Sequence, residues 1–431
     1  MKTLHTIIML TVFLLVGTTN KAQQMQPAKV IIENSNGAFK LKVNNEPFYI
    51  KGAGLEFGAI DALADHNANS FRTWRTNNGK QSGKEILDTA YSKGLYVTMG
   101  IEIARERHGF DYNDTIAVQE QFERVKEEVM ELKDHPALLI WAIGNELNLH
   151  HTNPKVWDAV NDISKMIHEI DPNHLTTTTL AGIQQKEVDL IKSRCRDLDL
   201  LSIQLYADLP ELPMRIKKFG WTGPYIVTEW GATGHWEVPT TEWGAPIEEN
   251  STIKAAKYLD RYNKAIAVDK TQCLGSYVFL WGQKQERTPT WYGIFSPNGE
   301  ETESVDVMHY IWNNKWPENR SPQVKSFHLN GKTAYHNIKL KSNTSASASI
   351  VIEDPDNDKI TYTWEILKES TDLKDGGDFE QRPIGIEVEV LKNNEGRFEF
   401  KTPKKGAYRL FVYANDEDNN VATTNIPFLI E

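Results

Sequence analysis

From Phe48 onward, apolar residues gather into short β-rich runs, and the stretches between them carry apolar positions at helical spacing. Eight runs stand out: Phe48–Gly54, Ser70–Arg75, Tyr96–Glu102, Leu138–Glu146, Leu175–Gly182, Leu198–Tyr206, Pro224–Gly231 and Cys273–Trp281. Between them, Thr115–Lys133 and Pro154–Ile170 repeat apolar residues every three or four positions, as an amphipathic helix does. Strands alternating with helices predict βα units and a parallel sheet. Eight units over this length predict a closed (β/α)8 TIM barrel rather than an open sheet. No G-x-G-x-x-G follows the first run, which argues against a dinucleotide fold.

The flanks follow other rules. Lys29–Ile32, Phe39–Val43 and Phe48–Gly52 read as short strands, with turns at Asn34–Gly37 and Asn44–Glu46. A last barrel helix is expected around Val305–Asn313, and the polar, Pro-containing segment Pro317–Pro322 reads as a linker. Beyond it, Ser326–Glu431 loses all helical period. Strands are expected at Ala348–Ile352, Lys359–Glu365, Ile384–Leu391, Phe398–Lys401 and Tyr408–Ala414, which predicts a C-terminal all-β sandwich. The expected division is 1–22 as a signal peptide, 28–316 as the barrel with its short N-terminal strands, and 323–431 as the sandwich. The acidic turns Asp354–Asp358 and Asn415–Asp418 make the last unit resemble cadherin-like or PKD-like modules. Such oxygen clusters suit Ca2+, but turn propensity alone also explains them, and no metal is assigned.

Lys2, the apolar run Ile7–Gly17 and the small residues Thr18, Thr19 and Ala22 form a signal-peptide pattern. The run is short for a bilayer span, and no Cys follows it to carry a lipid, so a secreted or periplasmic protein is expected, not a transmembrane one. The formal net charge is −11, and no basic run occurs. That excludes the usual nucleic-acid footprint. The two Cys, Cys195 and Cys273, lie far apart in sequence and leave a disulfide or two buried thiols equally open. A monomer is expected.

Chemistry in a barrel of this kind sits at the C-terminal ends of the strands. The fourth run, LLIWAIGNELN, ends in Asn145 and Glu146; the seventh, PYIVTEWGA, ends in Glu229 and Trp230. Two carboxylates flanking a glycosidic bond are what glycoside hydrolysis requires: one protonates the leaving oxygen, the other attacks the anomeric carbon or activates water. One strand-end Glu could serve an ordinary ion pair. Two, on separate strands and each beside aromatic residues, point to the chemistry. Twelve Trp fit a chain that stacks on sugars as well as one that packs them in its core.

The segments IWAIGNELN and YIVTEWG resemble clan A glycoside hydrolases, above all the barrel domain of family 2, with some likeness to families 5 and 72. The resemblance covers about Phe48 to Asn313. It implies Glu146 as acid/base and Glu229 as nucleophile. It also implies Arg72 (in SFRTWR) beside the nucleophile, Tyr206 as its hydrogen-bond partner, Asn145 on the sugar 2-hydroxyl, and Trp281 as the aromatic floor beneath the sugar. Glu102, which ends the third run, could bind a sugar hydroxyl, as could Glu56. Trp230, Trp236 and Trp243 belong to the loop after Glu229 and could stack on sugar faces or simply pack the loop. His150 and His151 read as solvated residues. Family 2 enzymes usually carry sandwich domains before the barrel, whereas here the sandwich follows it. This leaves room for an open cleft.

The expected activity is retaining hydrolysis of a β-linked glucan or related polysaccharide or oligosaccharide, with no cofactor. Two alternatives remain: a β-glucanosyltransferase using the same two Glu residues, or a non-catalytic glycan-binding barrel.

Overall fold

The computed structural model describes residues 26–431; the expected signal peptide lies outside them. Eight parallel strands close into a barrel: β4 (Ile50–Gly54), β5 (Ser70–Arg72), β6 (Tyr96–Ile101), β7 (Leu138–Asn145), β8 (Leu175–Ala181), β9 (Leu201–Gln204), β10 (Tyr225–Glu229) and β11 (Cys273–Val278). Before them, β1 (Val30–Ser35), β2 (Ala38–Val43) and β3 (Glu46–Phe48) form an antiparallel sheet. The eight predicted runs are all present, each one to five residues shorter than expected. Those trimmed at the C-terminal ends, among them Glu146 and Tyr206, leave the ladder on the side of the barrel mouth.

The helices are α1 (Ile60–Asp65), α2 (Gly83–Ser92), α3 (Thr115–Leu132), α4 (Lys155–Ile170), α5 (Gln185–Arg194), α6 (Leu212–Lys218), α7 (Ser251–Arg261) and α8 (Glu303–Asn313). Their apolar stripes face the strands; α4, for example, buries Val156, Trp157, Val160, Ile163 and Ile167. Every residue of β7 is buried, as expected of a strand enclosed by helices outside and barrel contents inside. Strand β8 (LTTTTLA) is polar yet equally enclosed. Its hydroxyls are paired: Thr177 with Ser202, Thr178 to the Ile143 carbonyl and Thr179 to the Gly144 carbonyl. The sheet β1–β3 plugs the bottom of the barrel, where Val30, Leu41 and Val43 pack with Ile50, Leu139, Ile226 and Leu274. Among the described residues no helix is long and apolar enough to cross a membrane.

The C-terminal unit pairs two sheets. One runs β12 (Gln323–Leu329), β14 (Ser345–Glu353), β17 (Arg397–Lys401), β16 (Val390–Asn394); the other runs β13 (Lys339–Leu340), β19 (Val421–Ile430), β18 (Gly406–Asn415), β15 (Thr361–Lys368). Strand β14 alternates strictly, with Ala346, Ala348 and Ile350 inward. Phe327, Trp364, Phe398, Phe400 and Phe428 fill the space between the sheets. The expected strand Ile384–Leu391 is a correction: only Val390–Asn394 is a strand, because the preceding residues make an irregular path touching β15 at a single bridge, Leu367 to Gly385.

The segment read as a linker is a second correction. Ser321 is fully buried, and its N–H and the Arg320 Nε donate to the Asp306 carboxylate on α8 at 2.8 and 3.1 Å. Arg409, Asn425 and Thr423 of the sandwich bond Pro246, Glu248 and Ser251 of the barrel. The two units are therefore fastened together by buried polar contacts. In the sandwich, oxygens of Asp354, Asp358 and Asp416 converge within 4.8 Å of one another. Cys195 and Cys273 are both buried free thiols, each pushed up to about 12, chiefly by burial.

Candidate active site

The nucleophile candidate closes β10. Its carboxylate is buried and receives three donors: Trp74 Nε1 at 2.8 Å and Arg72 at 3.3 Å on Oε1, and the Tyr206 hydroxyl at 3.0 Å on Oε2. Burial and the charge of Glu229 hold the Tyr206 phenol well above its ordinary value, so it remains a donor. Arg72 leaves β5 fully buried. Its other nitrogen donates to Asn145 Oδ1 at 2.8 Å, and its guanidinium lies over the Trp74 ring at 4.8 Å.

Asn145 ends β7 with one amide face spoken for. Its Oδ1 accepts from Arg72, from Gln204 Nε2 at 2.9 Å and from Thr179 Oγ1 at 3.1 Å. An amide whose carbonyl is saturated in this way must present its NH2 elsewhere. Register with β8 slips between Ala142 and Asn145, and Gly144 (φ 73°) and Glu146 (φ 53°) adopt left-handed backbone. Glycine takes that conformation freely, whereas a glutamate there carries strain of the kind that clusters at functional sites. The twist aims Glu146 into the mouth, and its N–H is held by the Thr179 carbonyl at 3.0 Å. Burial, then the charge of Glu229, pushes the Glu146 carboxyl up to about 7, while Arg107, Arg105 and Arg72 pull against the rise.

Arg72, Asn145, Tyr206 and Glu229 thus form one hydrogen-bonded cluster, with Glu146 next in the chain after Asn145. Trp236 is 59% exposed and meets Tyr206 edge-to-face at 5.7 Å, so it stands at the rim. Glu102 is exposed just beyond β6. Two expected sugar contacts are corrections. Trp281 is fully buried: its Nε1 donates to the Ala59 carbonyl, and its ring packs on Trp312 and Phe295. Trp230 is also fully buried, turned outward against Tyr258 and Tyr262. Neither offers a face to a sugar. Glu56 pairs with Arg75 at 2.6 Å, and His151, expected to be solvated, is buried against Trp157. A cavity of about 440 Å³ lies beside the carboxylates, not at them. It is lined by Phe71, Thr73 and Arg75, whereas the alternate residues Arg72 and Trp74 reach Glu229.

Trp74 and Gln204 were not singled out in the sequence. Each lies two residues from an assigned one, Arg72 and Tyr206, and so shares its side of an extended chain. That parity was the available signal.

A family model described as "Glycosyl hydrolases family 2, TIM barrel domain" matches residues 59–237. A β-glucuronidase of Streptococcus agalactiae serotype V is 26% identical over 257 residues, 49% of this chain and 41% of its own. A putative β-galactosidase from Bacteroides fragilis superposes with a TM-score of 0.50 at 13% identity, over 93% of this chain and 57% of its own. Bacteroides uniformis β-glucuronidase 2, covalently bound to cyclophellitol-6-carboxylate aziridine, gives 0.52 at 12% identity, over 93% and 48%. The last two likenesses concern the fold. This chain spans only about half the length of each of these relatives. The match takes in β5 to β10 of the closed eight-stranded barrel, and over those residues the chain is similar to the family 2 TIM barrel domain.

Proposed function

We propose that this protein is a retaining β-glycosidase acting on a β-linked glucan or related polysaccharide or oligosaccharide, with Glu229 as nucleophile and Glu146 as acid/base. What carries the proposal is the contrast between the two carboxyls. Glu229 is surrounded by donors matched to a carboxylate, and Glu146 is kept protonated toward neutral pH. Two carboxyls with environments pushed apart are the mark of an acid and its partner. Glu229 attacks the anomeric carbon while Glu146 gives its proton to the leaving oxygen. The covalent glycosyl-enzyme then yields to water that Glu146, now the base, deprotonates. Asn145, whose Oδ1 is already saturated, uses its NH2 to donate to the sugar 2-hydroxyl, and Trp236 supplies an apolar face at the rim. The apolar run Ile7–Gly17 supports action outside the cytoplasm.

The test is a panel of aryl β-glycosides, including glucoside, galactoside, mannoside, xyloside and glucuronide, beside laminarin, mannan and xylan. The glucuronide is included because the curated relative is a β-glucuronidase. Proton NMR of the first-formed sugar should show the β-anomer. An α-anomer would overturn retention, and no turnover of any substrate would overturn the activity.

A further inference from the structure

The sandwich domain does not stop at the flank of the barrel. Its segment between β15 and β16 sends Asp372–Arg382 across to the rim of the mouth. There Asp378 accepts from Arg107 at 2.8 Å and from His108 at 2.9 Å, both on the loop after β6. The Gly377 carbonyl accepts from Lys284 at 2.6 Å, and the buried Glu380 carboxylate pairs with Arg287, both on the loop after β11. Gly376, at φ 60°, lies so close that a Cβ there would come within 2.8 Å of both Arg107 and Leu149.

These anchors lead to both carboxyls. Leu149 belongs to the turn that starts at Glu146, its N–H bonded to the Glu146 carbonyl at 3.0 Å. Arg107 is the cation that acts most on the Glu146 carboxyl. Lys284 sits over the Phe279 ring at 5.8 Å, and Phe279 contacts Trp74 and Tyr206, the two rings bonded to Glu229. The loop thus meets the turn that begins at Glu146, at Leu149, and reaches Glu229 through three side chains: Lys284, Phe279, and Trp74 or Tyr206. Held at Asp378 and Glu380, it leaves Phe379 between them 81% exposed, with Leu373 54% exposed nearby in sequence. Burying such rings against solvent is favourable, and an exposed aromatic on a firmly anchored loop beside a catalytic mouth suits an apolar ring face.

We propose that the Asp372–Arg382 loop is the wall of the leaving-group subsite, and that Phe379 selects leaving groups and acceptors that present a ring face. This rests on the assignment of Glu146 as acid/base, since the leaving group departs on that side. The sandwich domain is then part of the active site, although it follows the barrel in sequence.

The experiment compares the full chain with Phe379→Ala on two substrates of one glycone, chosen from the panel above: the β-glycosyl fluoride, which has no ring to place, and the disaccharide or aryl glycoside. The proposal expects kcat/KM for the ring-bearing substrate to fall at least fivefold, with the fluoride unchanged within twofold. Transfer to a sugar acceptor should fall in parallel. Asp378→Asn, which loosens the anchor, should act in the same direction. Equal losses on both substrates, or no loss on either, would overturn the proposal. Should the parent fail to cleave even the fluoride, the glycosidase assignment itself would fall, an outcome distinct from a parent that turns over normally with an indifferent loop.

Discussion

Replacing Glu146 by Gln should damage activity and stabilise the fold, and both effects should track pH. The carboxyl rises from 4.5 to about 7 because burial and Glu229 disfavour its charge. Between those values the folded chain keeps a proton that the unfolded chain has released, so stability falls as pH rises through the window. At 1.36 kcal/mol per pKa unit the charged form costs at most about 3 kcal/mol above pH 7, and nothing below pH 4.5. Glu146→Gln removes that cost. Its melting temperature should match the parent's at pH 4 and exceed it by several degrees at pH 8. In the parent, kcat/KM for a glycoside with a poor leaving group should fall as pH rises through about 7, where the acid loses its proton. In the variant that limb should vanish along with most of the rate. A melting difference equal at pH 4 and pH 8, or a surviving limb near 7, would refute the account of Glu146.

Azide should rescue Glu146→Ala and Glu229→Ala in opposite senses: a β-glycosyl azide from the first, through the covalent intermediate, and an α-azide from the second, by direct attack. The same anomer from both would undo the paired roles. Trp74→Phe removes a 2.8 Å donor to Glu229, and since a hydrogen bond to a charged group contributes ~1.5–3 kcal/mol, kcat/KM should fall roughly ten- to hundredfold with the far-UV spectrum unchanged; full activity would show the bond to be idle. Trp281→Ala should lower the melting temperature strongly, as loss of a buried Trp costs ~3–5 kcal/mol, while Trp236→Ala should leave melting untouched and raise KM. Reversal of that pattern would return Trp281 to the sugar.

Much of this protein was legible along the chain because strands and helices impose local periods. The run LLIWAIGN announces a strand buried on both sides, and a strand ending in Glu within a parallel barrel can deliver that Glu only to the mouth. Glu146, Glu229, Arg72, Asn145 and Tyr206 follow from that rule and the family resemblance. Trp230 and Trp281 went the other way because sequence cannot tell which side of a departing chain a ring takes: one step of parity separates a sugar platform from a helix contact. The saturation of Asn145 Oδ1 by three strands, the shift at Glu146 and the reach of Asp372–Arg382 across the rim depend on residues brought together from far along the chain, up to 271 positions apart for Arg107 and Asp378. Local pattern places each element; only closure of the barrel and docking of the sandwich decide which charges and donors meet.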